Sequence, residues 1–162
     1  MPNSRNSGES DPDEYITALA SVLFFLNESV KTFLEMHERL RADNDLRFDV
    51  RWREPVSKEC DAWQKVMVRT VLGPRPPEGW ELAHDKLIDA IGLIGRASKY
   101  IVEGIESDDD QRYAHGVKCT VAYLTTVDNE VIPSMPISLK SLLMIAADYA
   151  EANPLMPEEA NH

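Results

Sequence analysis

The sequence predicts an all-α protein, an antiparallel up-down four-helix bundle with an additional short C-terminal helix. Trp80, Leu87, Ile94 and Ile101 fall seven apart, accompanied by Ala83, Ala90 with Ile91, Ala97 with Ser98, and Ile105. Leu19, Leu26, Phe33 and Leu40 repeat the same spacing, with Val22, Leu23, Val30 and Met36 between them. Apolar stripes of this period belong to helices that bury one face against neighbouring helices. Most prolines and glycines fall between these segments, which marks the connections.

The first helix opens with Asp11 as its cap, Pro12 at the first helical position and Glu14 three residues after the cap. It runs to about Asp43. Segment 46–52 alternates apolar Leu46, Phe48, Val50 and Trp52 with charged Arg47, Asp49 and Arg51, which is a strand signature. Two main readings stay open: an extended stretch laid across the helices, or a helical or irregular one that extends the next helix backwards past Pro55. Strand pairing with a second copy is a third option.

Taken from Pro55, the second helix ends before Gly73 and carries Val56, Trp63 and Thr70 on one line, with Cys60, Val66 and Met67 beside it. It would span about 27 Å against about 45 Å for the first and third helices. Either the C-terminal helix or segment 46–52 must therefore cover core at one end. Pro74, Pro76 and Pro77 stiffen the next reversal, and Pro77 is expected to open the third helix, with Glu78 and Glu81 at its positive end.

That helix stops near Ser107. Asp108 and Gln111 form an expected capping box for the fourth, whose inward residues are read as Tyr113, Val117, Val121, Leu124, Val127 and Val131. Pro133 and Pro136 end it. A fifth helix spans about 138–152 and is apolar on most faces: Leu139, Leu142, Leu143, Ile145, Ala146 and Tyr149. The expected organisation is a disordered tail over 1–10, one domain over 11–153 and a C-terminal tail over 154–162.

With 162 residues, 43% hydrophobic and 28% charged, the chain suits one globular domain. Its net charge of −11 opposes nucleic-acid binding, which needs concentrated Lys and Arg, and an anionic membrane surface for the same reason. Unbroken apolar runs such as 22–26 and 142–147 fall far short of the roughly 20 residues of a membrane span. The polar first ten residues lack the apolar stretch of a secretory signal. Cys60 and Cys119 lack metal or redox spacing and are read as reduced thiols, with a disulfide between their two helices as the alternative. A cytoplasmic location follows as the expectation.

Chemistry-bearing patterns are sparse. Glu81 and His84 have the ExxH spacing of di-iron bundles, but His37, His115 and His162 lack a Glu three places earlier, so the second motif is missing. Glu35 with Glu38, and Glu103 with Glu106, place carboxylates three apart and off the apolar stripe, as solvated faces do. Arg47, Arg51, Arg53 and Lys58, interleaved with Phe48 and Trp52, form the one concentrated positive patch and a candidate partner surface. Gly92 and Gly95 are read as close-packing sites.

Ala114, His115, Val117, Lys118 and Thr120 resemble the phospho-acceptor helix of histidine phosphotransfer domains, themselves four-helix bundles. The resemblance covers about seven residues and implies His115 as phospho-acceptor with Lys118 beside it as a charge partner. Where that family usually carries a glycine four places after the histidine, this chain has Cys119.

No catalytic, cofactor or metal set is complete. The leading expectation is a non-enzymatic protein that binds a protein partner or its own copy, a dimer in the simplest case, without nucleic acid or membrane. Replacing Leu26 or Ile94 by Asp is expected to abolish folding, because a buried unpaired carboxylate adds desolvation to lost packing. A native melting temperature for either variant would remove these residues from the core.

Overall fold

The computed structural model describes residues 11–154 and is all-α. The expected tail over 1–10, and the C-terminal tail beyond Pro154, lie outside the described residues. Helix α1, Pro12–Ala42, is capped by Asp11, whose carboxylate accepts the Asp13 N–H at 3.0 Å. Asp13 and Glu14 sit at its positive end and Arg39 and Arg41 at its negative end, as the helix dipole favours.

The chain reverses through a short 3₁₀ turn, Asn44–Phe48, rather than a strand. Two aspartates make the turn. Asp43 ends α1 and accepts from the Asp45 N–H, and Asp49 accepts from the Arg51 N–H to start α2, Val50–Val71. Pro55 therefore lies inside α2 and does not begin it. At the sixth helical position it removes a single ladder donor, and the helix continues. At 22 residues α2 is about 33 Å long, which narrows the expected mismatch but leaves it shorter than α1 at 31 residues and α3 at 26. Of the alternating segment only Trp52 is buried; Phe48 and Val50 face solvent.

Helix α3, Glu81–Glu106, starts four residues later than Pro77, because residues 77–80 form a turn closed by the Trp80 N–H on the Pro77 carbonyl. Gly79 takes the left-handed conformation there, with φ +90°. At the other end of α3, Asp108 stands at φ 52°, and the Asp109 N–H returns to the Gly104 carbonyl at 2.9 Å. This is the wrap that ends many helices, with an aspartate where glycine is usual. Asp108 is thus spent on ending α3, and the cap of α4, Asp110–Thr126, is Asp109, which accepts from the Arg112 N–H.

Of the residues expected to face inward from α4, Val127 and Val131 are buried and Tyr113, Val117 and Leu124 are half-buried against the core, so only Val121 departs from the expectation. Gly116, Cys119, Thr120 and Tyr123 are buried, while Val121 is exposed. At Gly116 α3 approaches too closely for any β-carbon. Beyond Thr126 the helix widens into a π turn, Val127–Val131, where the Ile132 N–H reaches five residues back to Val127. It ends with Ile132–Ser134, which contains Pro133. Helix α5, Leu139–Ala152, follows at 86° to α4, capped by Ser138 on the Ser141 N–H.

Both heptad series are buried, with Leu26, Phe33, Ile94 and Ile101 wholly so. Met36 and Ser29 of α1 meet Trp52 and Trp63 of α2; Gln64 of α2 donates to the Gly95 carbonyl of α3; Tyr123 of α4 donates to Asn27 of α1. Among the described residues α1 is long and apolar enough to cross a membrane, although no unbroken run within it is. About 44% of its most apolar stretch is buried inside the protein, and α4 with α5 passes the same test only as one sharply bent span.

Four glycines of α3 and α4 separate cleanly. A Cβ at Gly104 would lie 2.6 Å from the Tyr113 N, one at Gly116 would lie 2.7 Å from Ile101 Cγ1, and Gly95 faces the Met67 thioether. Gly92, expected to be a close-packing site, has open space. Gly92→Ala should therefore stabilise by about 0.5–1 kcal/mol through helix propensity. Gly104→Ala and Gly116→Ala should each destabilise by about 1–3 kcal/mol through overpacking. Urea unfolding of the three variants checks the opposite signs.

Candidate functional site

Helix α5 exposes a cluster of large apolar side chains. Leu142 is its single buried residue, whereas Leu139, Leu143 and Met144 are 42%, 50% and 58% exposed. Leu139, Leu143, Ala147 and Ala150 follow i, i+4, i+8, i+11 spacing and so share one outward face. The helix packs against α1, on which Phe24 is 67% exposed.

A cavity of about 340 Å³ lies where α1, the 3₁₀ turn, α2, α3 and α4 meet. Its aromatic wall is built by α1, α2 and α4. His37 Nδ1 and the Tyr113 hydroxyl share a hydrogen bond of 2.9 Å, and the Trp52 indole N–H is fixed on the Met36 carbonyl at 2.9 Å. Arg47 reaches Asp110 at 2.9 Å and Asp108 at 3.2 Å, with its guanidinium 4.8 Å from the Phe48 ring centre. Arg51 is held by Asp49. Two of the four cations of the positive patch read from the sequence are therefore paired with neighbouring aspartates, and Arg53 lines the cavity.

A second tyrosine–histidine pair stands at the other end of α1. The Tyr15 hydroxyl and His84 Nδ1 are 2.7 Å apart, and the Trp80 ring meets Tyr15 edge-on at 6.0 Å. Burial pushes the Tyr15 hydroxyl up to about 12, and raises Tyr113 as well. The same cause lowers both imidazoles, His37 and His84, from their ordinary 6.5, against the smaller opposing pull of Glu38 and Asp85. His84 is thus tied to tyrosine. Glu81 accepts instead from the Gly79 N–H at 2.8 Å, so the ExxH pair does not converge on a common point. Among the described residues no three His, Cys, Asp or Glu side chains gather as metal ligands.

His115 is exposed, with the Tyr100 ring edge-on at 4.7 Å and Cys119 Sγ 4.0 Å from Nε2. Lys118 is exposed on the same helix. Glu38 pairs with Arg41 and Glu103 with Arg112, while Glu35 and Glu106 face solvent. Both cysteines are free thiols. Burial pushes Cys60 up to about 12 and raises Cys119, which suppresses the thiolate and with it nucleophilic character.

The two tyrosine–histidine pairs escaped the sequence reading because each joins residues about 70 positions apart. Their one trace was that Tyr15 and His37 flank the α1 stripe. Comparison with protein-family models, with curated proteins and with solved structures finds no match.

A histidine whose folded pKa is depressed binds fewer protons than the unfolded chain once the pH falls below the unfolded value. The contribution of His37 and His84 is therefore complete above about 6.5 and is lost as the pH falls through their lower folded values. Thermal melts between pH 7.5 and 5 should show a falling melting temperature that His37→Gln with His84→Gln flattens. An unchanged slope would show that these imidazoles do not set it.

Proposed function

We propose that the protein is a non-enzymatic, cytoplasmic interaction protein that binds a protein partner or a second copy of itself, a homodimer in the simplest case. The observation that carries the reading is α5, which leaves Leu139, Leu143 and Met144 in solvent and buries Leu142 alone. A cluster of exposed large apolar side chains loses free energy in water and marks a contact surface. Lys140 lies near the start of α5, and Asp148 and Glu151 near its end, so an antiparallel pair of α5 helices would set opposite charges against each other.

In this reading α1 to α4 form an antiparallel up-down four-helix bundle, and α5 is the additional short C-terminal helix. Ser29 with Trp63, Gln64 with Gly95, Gly104 with Tyr113, and His37 with Tyr113 support that order. Helix α1 is then a core helix and not a membrane span. The charge of −11 argues against nucleic acid and anionic membranes as partners.

Phosphotransfer at His115 is the second reading, favoured by its exposed ring and the exposed Lys118 on the same helix. Labelling by a small phosphodonor that His115→Gln abolishes, with the fold intact, would support it. For the leading reading, light scattering after size exclusion should give a mass above the monomer. Leu143→Glu with Met144→Lys should weaken association by at least about tenfold without unfolding, since both side chains are exposed. A wild-type chain that is monomeric at high concentration, matched by the variant, removes the support for self-association.

A further inference from the structure

The contact between α1 and α2 is filled unevenly. Near the end of α1, Phe33, Met36, Trp52 and Trp63 close it. Toward the start of α1 the facing positions are Ala18, Ser21, Ala62, Thr70 and Gly73, and two adjoining hollows of about 310 and 320 Å³ take the place of side chains. They share Ser21, Val22, Arg69 and Thr70, so they adjoin along one side of the α1–α2 contact and are together termed one channel. Its floor is core: Tyr15, Leu19 and Leu87 are all buried.

The polar atoms of this channel ask nothing of a ligand. Ser21 Oγ donates to the Thr17 carbonyl and Thr70 Oγ1 to the Val66 carbonyl, while Tyr15 and His84 satisfy each other. A polar or peptide-backbone ligand would lose its hydrogen bonds to water without replacement. An aliphatic chain would not. The channel also lacks acidic residues, in a chain with 28 Asp and Glu against 17 Lys and Arg. Lys65 is paired with Asp61, whereas Arg69, where the two hollows meet, has no partner among the described residues.

We infer that this channel binds a free single-chain aliphatic carboxylate, with the chain along Leu19 and Leu87 and the carboxylate on Arg69. Its volume is on the scale of a small-molecule site. A helical partner would need an interface of roughly 800 Å² on each side, much larger than these hollows supply.

Dodecanoate, kept below its micelle concentration, is titrated calorimetrically into the full chain beside dodecyltrimethylammonium, which has the same tail and the opposite charge. The expected result is saturable one-to-one binding of dodecanoate alone, weakened about tenfold by Arg69→Gln and abolished by Ala18→Trp, which blocks the channel from an exposed position. Circular dichroism establishes that both variants fold. Equal binding of the cation, or unchanged affinity in Arg69→Gln, overturns the inference. So does sedimentation with phosphatidylglycerol vesicles in a protein that ignores free dodecanoate.

Discussion

Helices α3 and α4 approach until no β-carbon fits at Gly104 or Gly116, and the rest of the architecture is arranged around that contact. Gly116 packs on Ile101 and on the Ala97 carbonyl, while Gly104 receives the backbone of Tyr113. Each glycine sacrifices about 1 kcal/mol of helix propensity, which close packing of the two helices must offset. The approach fixes the height at which Tyr113 projects from α4, and so lets its hydroxyl meet His37 of α1. The wall of the cavity at that end is therefore a consequence of two missing methyl groups.

The α1–α2 contact is built on the opposite principle. Ser29 is a buried polar residue that accepts the Trp63 indole N–H and donates to Glu59, so the largest side chain in the core has its one polar atom satisfied. With Trp63 anchored and Trp52 held by the Met36 carbonyl, one half of the interface is solid. In the other half, Ala18, Ser21, Ala62, Thr70 and Gly73 stand among the larger Val22, Phe25 and Val66, and the gap between the helices stays open. Hollows against a core are normally closed by larger side chains, since each lost contact weakens packing. Their persistence here singles out that half as the place where the chain leaves room.

The long apolar periods made the helices legible: Leu26, Phe33, Ile94 and Ile101 were readable as core from spacing alone, and all four are fully buried. Boundaries set by competing aspartates were not. Asp108, Asp109 and Asp110 are chemically alike, and only the left-handed turn at Asp108 decides that Asp109 is the cap. The alternation over 46–52 left an extended and a helical reading open, because a 3₁₀ turn followed by a helix start can place alternating residue types in sequence without a sheet; the structure takes the helical one. The inward face of α4 was legible from its apolar residues except at Val121, while its buried Gly116 and Thr120 carry no apolar sign to read. Of the candidate surfaces, the over-apolar α5 was visible in the sequence, while the α1–α2 channel was not, because empty space between distant residues leaves no local pattern.

The two tyrosine–histidine pairs explain how α1 is held in place with so few ionic contacts to the other helices. Each pair joins α1 to another helix near one of its ends, through a neutral hydrogen bond at a half-buried imidazole. An ion pair in the same positions would first have to shed two hydration shells, a cost its own attraction does not reliably recover. A neutral imidazole and a hydroxyl shed less and still fix direction. Burial itself keeps these histidines neutral, by lowering their affinity for a proton. The attachment of α1 thus depends on the same desolvation that packs the core, which ties the placement of the longest helix to the acidity of the medium.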